Sequence, residues 1–290
     1  MKVCALTMVY KGYWHFECWI RHYSKILGRQ NLFVVLHGAD DRAQRIANGC
    51  NVITVPRESY LERFDRKRFF ALSNFRDFLL ASYDIVLQSD ADELLFADCE
   101  DGLLGALKRL PDQPAIFTLG FELIEVENDN LVSDEFSLLS QRRNGIFFGK
   151  YTKASVFRKK GVKVMMHGYS TDEIASGKHG YALADDIYLA HLRFSNTYAL
   201  SSANAGKQDL IERVEIAPSR DWTDPETTRE KLLTKFDKAE LLDFSLAAQH
   251  ARRALGTGVR RTRIGRHVLH APPQLMPHRF ILPDRFSDYC

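Results

Sequence analysis

The sequence predicts an α/β protein with a mostly parallel central sheet flanked by helices. Short apolar runs alternate with amphipathic helical stretches through the first 110 residues. Polar or acidic turns follow two of those runs, at His37-Gly38-Ala39-Asp40-Asp41 and Gln88-Ser89-Asp90-Ala91-Asp92-Glu93. The 290 residues, 45% hydrophobic and 27% charged, suffice to bury the core of one large domain plus an extension.

Val3 to Val9 reads as a buried strand, broken by Gly12. Phe16, Trp19, Ile20, Tyr23, Ile26 and Leu27 mark one face of a helix, and Gly28 sits where its C-cap belongs. Asn31 to Leu36 and Asn51 to Val55 are strands, the second stopped by Pro56. Arg66 to Ser82 reads as a helix, with Phe69, Leu72, Phe75 and Leu79 on one stripe. The aromatic set Phe69, Phe70, Phe75 and Phe78 is assigned to the core. Asp84 to Leu87 is a strand that runs into the acidic turn. Glu100 to Leu110 is a helix closed by Pro111, and Ala115 to Val126 is a strand or bent pair.

The pattern changes after residue 128. Tyr151 to Met166 reads as a hairpin around Lys159-Lys160-Gly161, and Tyr188 to Ala190 as a short strand leading into His191. Thr227 to Leu255 is mostly helical, and the stretch from Gly256 onward reads as irregular.

Charge and cysteine usage exclude some classes. The net charge is only +3, so no global field marks a nucleic-acid binder. From His250 to Arg279, however, there are seven arginines, four histidines and no acidic residue. That segment is a surface for solvent, for a nucleotide, for an acidic polymer or for peripheral membrane contact. The five cysteines are widely spaced without a CxxC pair, which argues for reduced thiols and against a disulfide framework or structural zinc. The apolar run at the N-terminus is too short for a signal-peptide core, and no segment approaches the length of a membrane span. The expected location is cytoplasmic, with the inner face of the membrane as a peripheral option.

Asp90 and Asp92 carry the chemistry. Two carboxylates separated by one small residue, at a strand end, can share a divalent cation. Mg²⁺ and Mn²⁺ prefer such oxygen ligands and bind alongside phosphate oxygens. Ligands of parallel α/β sheets lie at the carboxyl ends of the strands, where this turn falls. A phosphatase of the haloacid dehalogenase type also has DxD after a strand, but at the end of its first strand and without Glu-Leu-Leu-Phe following. Here the motif ends the fourth strand.

The run FECWIRHYSKILG from Phe16 to Gly28, with YDIVLQSDADELL from Tyr83 to Leu95, resembles a glycosyltransferase family 2-like group related to family 92. Arg68 and Asn74 fall where such proteins often carry a polar pair. The likeness covers residues 3 to 100 well, is looser to residue 200 and stops there. It implies a GT-A fold, with residues 1–200 as the transferase domain (1–100 the nucleotide-sugar half, 101–200 the acceptor half). Residues 201–290 would then be a helical, irregular and basic extension. It implies that Asp92 coordinates the metal and that Asp90 contacts ribose or metal-bound water. His191, in an H-x-R segment, would complete the metal shell, with His167 as its rival.

Departures from the family pattern leave the nucleotide side open. Tyr10 is a candidate to stack on a base, and Asp40 to contact the nucleotide; Arg66 and Arg68 are within reach of a diphosphate. An inverting transfer needs a general base. Asp172 and Glu173, in a loop of site-like composition, are the leading candidates, with Asp185, Asp186 and Glu122 as others. The expected reaction moves a sugar from a nucleotide diphosphate sugar to a hydroxyl of a glycan or lipid-linked acceptor, with Mn²⁺ or Mg²⁺. Alternatives are a nucleotide-sugar-forming nucleotidyltransferase and a non-catalytic sugar- or polymer-binding module. The first usually carries a Gly-rich Arg/Lys loop after strand one, which VYKGYWHF lacks.

Overall fold

The computed structural model describes residues 1–57, 64–165, 167–174, 176–211, 224–263 and 266–289. Cys290, and Met166 at the end of the expected hairpin, lie outside them. The chain opens with the predicted alternation: β1 (Val3–Val9), α1 (Tyr13–Leu27), β2 (Leu32–His37), α2 (Asp41–Ile46), β3 (Asn51–Val55), α3 (Phe64–Leu79) and β4 (Ile85–Gln88). These strands pair in parallel in the order β3-β2-β1-β4. β1 and β4 are covered on both faces, which is why they read as unbroken apolar runs.

Beyond β4 the same sheet becomes mixed. β5 (Glu93–Ala97), α4 (Gly102–Lys108), β6 (Ala115–Ile124), α5 (Leu138–Gln141), β7 (Asn144–Phe148) and β8 (Lys153–Phe157) follow in the chain. β8 lies antiparallel between β4 and β6, and β6 also pairs with β7. β9 (Lys163–Met165), β10 (Gly168–Ser170) and β11 (Leu183–Phe194) come next. β11 runs parallel to β6 and antiparallel to β5. The strand expected at Tyr188 is thus twelve residues long. The expected hairpin across Lys159–Gly161 does not form as a pair. β8 stays in the main sheet, while β9 pairs with β10 in a second sheet.

The C-terminal part holds α6 (Thr197–Ile211), α7 (Pro225–Lys238), β12 (Glu240–Leu241), α8 (Phe244–Leu255), β13 (Val259–Arg263), β14 (Arg266–His270) and β15 (Leu275–Ile281). Helices α7 and α8 fall in the stretch expected to be mostly helical, whereas α6 is not expected from the sequence. The stretch expected to be irregular is not: β13 and β14 extend the second sheet as β13-β14-β10-β9, and β15 enters the main sheet between β7 and β12. Arginine and histidine on the open faces hide these strands' apolar positions from a periodicity reading. Phe280, Leu282 and Phe286 are buried in the same core as β1 and β5. Among the described residues no helix is long and apolar enough to cross a membrane, and the four described cysteines are unbonded.

A second correction concerns α3. Its buried face is Leu72, Ser73, Arg76 and Leu79, while Phe70 and Phe78 are 69% and 70% exposed. Arg76 is enclosed: its guanidinium lies 4.3 Å from the Phe157 ring centroid, pairs with Asp77 and donates to Gln88 Oε1. With Arg76 and Ser73 on its core side beside Leu72 and Leu79, α3 keeps Phe75 at the core edge and turns Phe70 and Phe78 outward.

Helix α1 packs Phe16, Trp19, Ile20 and Tyr23 into the core, each side chain contributing roughly 1.5–3 kcal/mol on burial. Between them sits His22, whose Nε2–H donates to the Leu95 carbonyl at 2.7 Å. Burial lowers its pKa to about 4. Below pH 6.5 the unfolded chain takes up a proton that the folded chain refuses. His22 therefore contributes stability above pH 6.5 that is lost as pH falls toward 4, about 3 kcal/mol in all. Urea unfolding at pH 7 and pH 5 should show this loss reduced in His22→Gln; an unchanged pH slope would refute it.

Candidate active site

A cavity of about 360 Å³ opens at the carboxyl ends of β1 and β4. Tyr10, Lys11 and Gly12 form one end, the Gln88–Asp92 turn the floor, His191 and Arg193 of β11 a wall, and Leu200 and Asn204 of α6 the far side. Its size suits a small-molecule ligand. Asp90, Asp92, His191, Arg68, Tyr10 and His167 all line it.

The acidic turn is braced from α1. Trp19 Nε1–H donates to Ser89 Oγ at 3.0 Å, and the Leu95 amide donates to the Tyr23 hydroxyl at 3.0 Å. With His22 on the Leu95 carbonyl, three side chains from consecutive turns of one helix grip both flanks of the Asp90–Asp92 segment. The residues that carry the family resemblance thus act as a clamp, buried away from the cavity's contents.

Asp90 is committed to protein cations. Its Oδ1 accepts from Arg68 at 3.0 Å and its Oδ2 from Lys153 Nζ at 2.9 Å. Burial alone would raise its pKa, but Lys153 and Arg68 hold it well below the ordinary carboxylate range. Lys153 also lies 2.6 Å from Glu93 Oε1, and Glu93 Oε2 accepts the Asp90 amide at 3.0 Å. Burial works against the Lys153 charge, yet Asp90 and Glu93 outweigh it and keep its pKa above normal. Lys153 stands 63 residues from Asp90 and was not singled out by sequence reasoning. Its signal is weak: a lone lysine at the start of an apolar strand.

Asp92 and His191 converge instead. His191 Nε2 lies 3.5 Å from Asp92 Oδ2, and Nδ1–H donates to the buried Glu122 carboxylate at 2.8 Å. Glu122 and His191 are direct partners in the β6–β11 register. The Tyr151 ring stacks on the imidazole, centroids 3.9 Å apart at 17°, and burial followed by the Glu122 charge holds its hydroxyl pKa well above normal. Gly120 makes this possible, since a Cβ there would meet the Tyr151 carbonyl at 2.1 Å. Burial opposes charge on His191, but Glu122 and Asp92 push its pKa up to about 10.

These residues bear on a metal directly. Two ligands held at about 2.1 Å and at right angles around one divalent ion sit about 3 Å apart. The Asp92–His191 separation is close to that, and a carboxylate behind the imidazole is the usual support for a metal-bound histidine. At neutral pH, however, a histidine so raised is an imidazolium, and its contact with Asp92 is an ion pair; the two would hold a divalent cation, Mn²⁺ better than Mg²⁺, only once the ring gives up that proton. Asp90, expected as a third ligand, accepts from a protein cation on each oxygen instead of converging with Asp92 and His191. Among the described residues no group of three or more histidine, cysteine or acidic side chains is placed to hold a metal. The rival His167 uses Nδ1–H on the Lys150 carbonyl, and burial lowers its pKa to about 4.

Other expected residues are placed elsewhere. Asp40 caps α2 by accepting the Ala43 amide at 2.9 Å and also accepts from the Tyr13 hydroxyl. It serves local structure and is not in the cavity lining. Tyr10 is in the lining, but the Arg57 guanidinium covers one ring face at 3.8 Å. Asp172 and Glu173 lie in a surface turn after β10, outside the lining. Asp172 is 88% exposed, 4.0 Å from Lys163, and Glu173 pairs with Lys178 and His179. Asp186 faces Arg109 on the surface. Arg66 is exposed, whereas Arg68 points to Asp90.

No protein-family model matches the sequence, and no curated protein matches it. Among solved structures, that of a protein described as mannose-1-phosphate geranyltransferase from Thermus thermophilus aligns over 97% of this chain and 74% of that one. The identity is 10% and the TM-score 0.31, a likeness too slight to carry an argument about fold or activity.

Proposed function

We propose that this chain is a metal-dependent glycosyltransferase that takes a nucleotide diphosphate sugar in the cavity and passes the sugar to a hydroxyl acceptor. The observation that carries the reading is the convergence of Asp92 and His191, with Glu122 and Tyr151 holding the imidazole. A divalent cation bound there would supply charge neutralisation for the departing nucleoside diphosphate. Lys11, Lys150 and Arg193 add positive charge to the lining, as an anionic donor requires. Arg68 and Lys153 act indirectly. By saturating Asp90 they fix the turn, so that Asp92 is presented without rearrangement.

A thermal-shift panel of UDP-, GDP-, CMP- and dTDP-sugars, with and without Mn²⁺, tests this. One donor should raise Tm by roughly 5 °C at saturating concentration, and only with metal. Asp92→Ala should abolish that shift, and Glu122→Gln should weaken metal affinity about 10–100-fold. A full metal-dependent shift in Asp92→Ala would sink the proposal. Nucleotide-sugar synthesis from a sugar phosphate and a nucleoside triphosphate would instead favour a nucleotidyltransferase. Absence of any donor turnover or hydrolysis by the metal-bound protein would favour a binding module.

A further inference from the structure

We propose that the outward face of α3, together with the Lys159–Lys160 turn tied against it, docks on an anionic lipid surface. The inference does not depend on the reaction assigned to the cavity. At 100° per residue, Lys67, Phe70, Ala71, Asn74 and Phe78 fall within an arc of about 100°. All five are exposed, as is Arg66 at the edge of the arc. Two phenylalanines about 70% exposed on one helix face are a costly display for water alone. Phe78 is further held by stacking on Phe75, centroids 6.1 Å apart at 10°, so its ring is presented in a set orientation.

Among the described residues the charge near these rings is predominantly positive, with Arg66, Lys67, Lys159, Lys160 and Lys163 set against Asp112 and Asp172. Asp65 and Asp77 are the acidic residues of α3. Asp65 lies 3.7 Å from Arg68, and Asp77 pairs with Arg76 and accepts the Gly161 amide at 2.8 Å. That last bond fixes the Lys159-Lys160-Gly161 turn one residue from Phe78. Lys159 and Lys160 are exposed there, with Lys163 just beyond on β9. Lys159 pairs with Asp112 and Lys163 lies 4.0 Å from Asp172, which leaves Lys160 as the turn's main contribution. The result is two aromatic rings on an exposed helix face that also carries Lys67, with Arg66 beside it and Lys160 on the turn tied to Asp77. A cationic–aromatic face complements a planar anionic one: rings enter the headgroup boundary and the cations meet lipid phosphates and carboxylates. The inner side of the same helix, through Arg68, Phe69 and Leu72, lines the cavity. Docking would therefore set the cavity beside the lipid surface.

The test is cosedimentation of the full chain with vesicles of phosphatidylcholine alone, or of phosphatidylcholine mixed with phosphatidylserine. The wild type should bind only the anionic vesicles, and lose binding in high salt. The Phe70→Ser/Phe78→Ser variant should bind at least about tenfold more weakly. Its circular dichroism and its metal-dependent donor shift should be unchanged, which separates this proposal's failure from the failure of the transferase reading. Lys160→Glu/Lys163→Glu should weaken vesicle binding without touching the aromatic pair. Wild type that stays in the supernatant, or Phe variants that bind equally well, would overturn the proposal. So would equal binding to soluble polyglutamate in wild type and Phe variant, which would assign the face to an acidic polymer. Dimerisation in sedimentation equilibrium that the Phe variant abolishes would assign it to a second copy.

Discussion

Removing residues 256–290 is expected to unfold the protein rather than trim a basic tail. The deletion takes away β15, which pairs antiparallel with β7 through Arg279, Phe280 and Ile281. It also removes Met276, Phe280, Leu282 and Phe286, all buried in the central core. Phe280 alone touches Phe121, Phe147 and Phe244, with ring centroids 4.7–5.3 Å apart. Loss of each such side chain costs about 2–5 kcal/mol, so the set exceeds the ~5–15 kcal/mol by which a domain is stable. The deletion would also bare the edge of β7, a template for aggregation. Expression of the 1–255 fragment should give insoluble protein, or a chain without a cooperative thermal transition. A soluble fragment with a sharp transition would show that β15 is dispensable. For the same reason, charge in this segment is properly probed by Arg260→Glu and Arg261→Glu, exposed positions on β13, and not by truncation.

That stretch also marks where the sequence stopped being legible. The N-terminal half was readable because parallel strands covered on both faces leave unbroken apolar runs, as in Val3–Val9. The acidic turn follows β4, and His191 lines the same cavity. What the sequence could not reveal was pairing at long range. Glu122 meets His191 across 69 residues through a strand register, and Lys153 reaches Asp90 across 63. Lys153 and Arg68 pair Asp90 with two protein cations, which no spacing in the sequence announces. On α3 the apolar stripe was legible, since Leu72 and Leu79 are buried against the sheet with Phe75 beside them, but the extension of the core to Phe70 and Phe78 was not. Buried Arg76 reversed the assignment of Phe70 and Phe78. Asp172 and Glu173 were chosen on loop composition, which carries no information on where a loop points.

The second large effect is expected from Lys153→Met. The substitution keeps the length of the side chain and deletes the ammonium shared by Asp90 and Glu93. Glu93 is then a carboxylate 1% exposed with its Oε1 unpaired, while Asp90 keeps Arg68. Breaking one side of a buried ion pair costs about 3–5 kcal/mol. The low end, about 3 kcal/mol, is expected here because Lys153 is 21% and Asp90 36% exposed. Urea denaturation should show the midpoint fall with the slope unchanged. Adding Glu93→Gln removes the stranded charge, so Lys153→Met/Glu93→Gln should recover a substantial part of the loss. The turn should also lose its fixed geometry, and metal-dependent donor binding should weaken even in the refolded double variant. Asp90 would then be held from one side only, with Asp92 two residues on. If Lys153→Met stays within about 0.5 kcal/mol of wild type, the lysine is a bystander and the Asp90 clamp rests on Arg68 alone. If stability falls but donor binding in the double variant is intact, the cluster supports the fold and not the site. The two readouts together therefore separate a lysine that holds the protein together from one that aims Asp92.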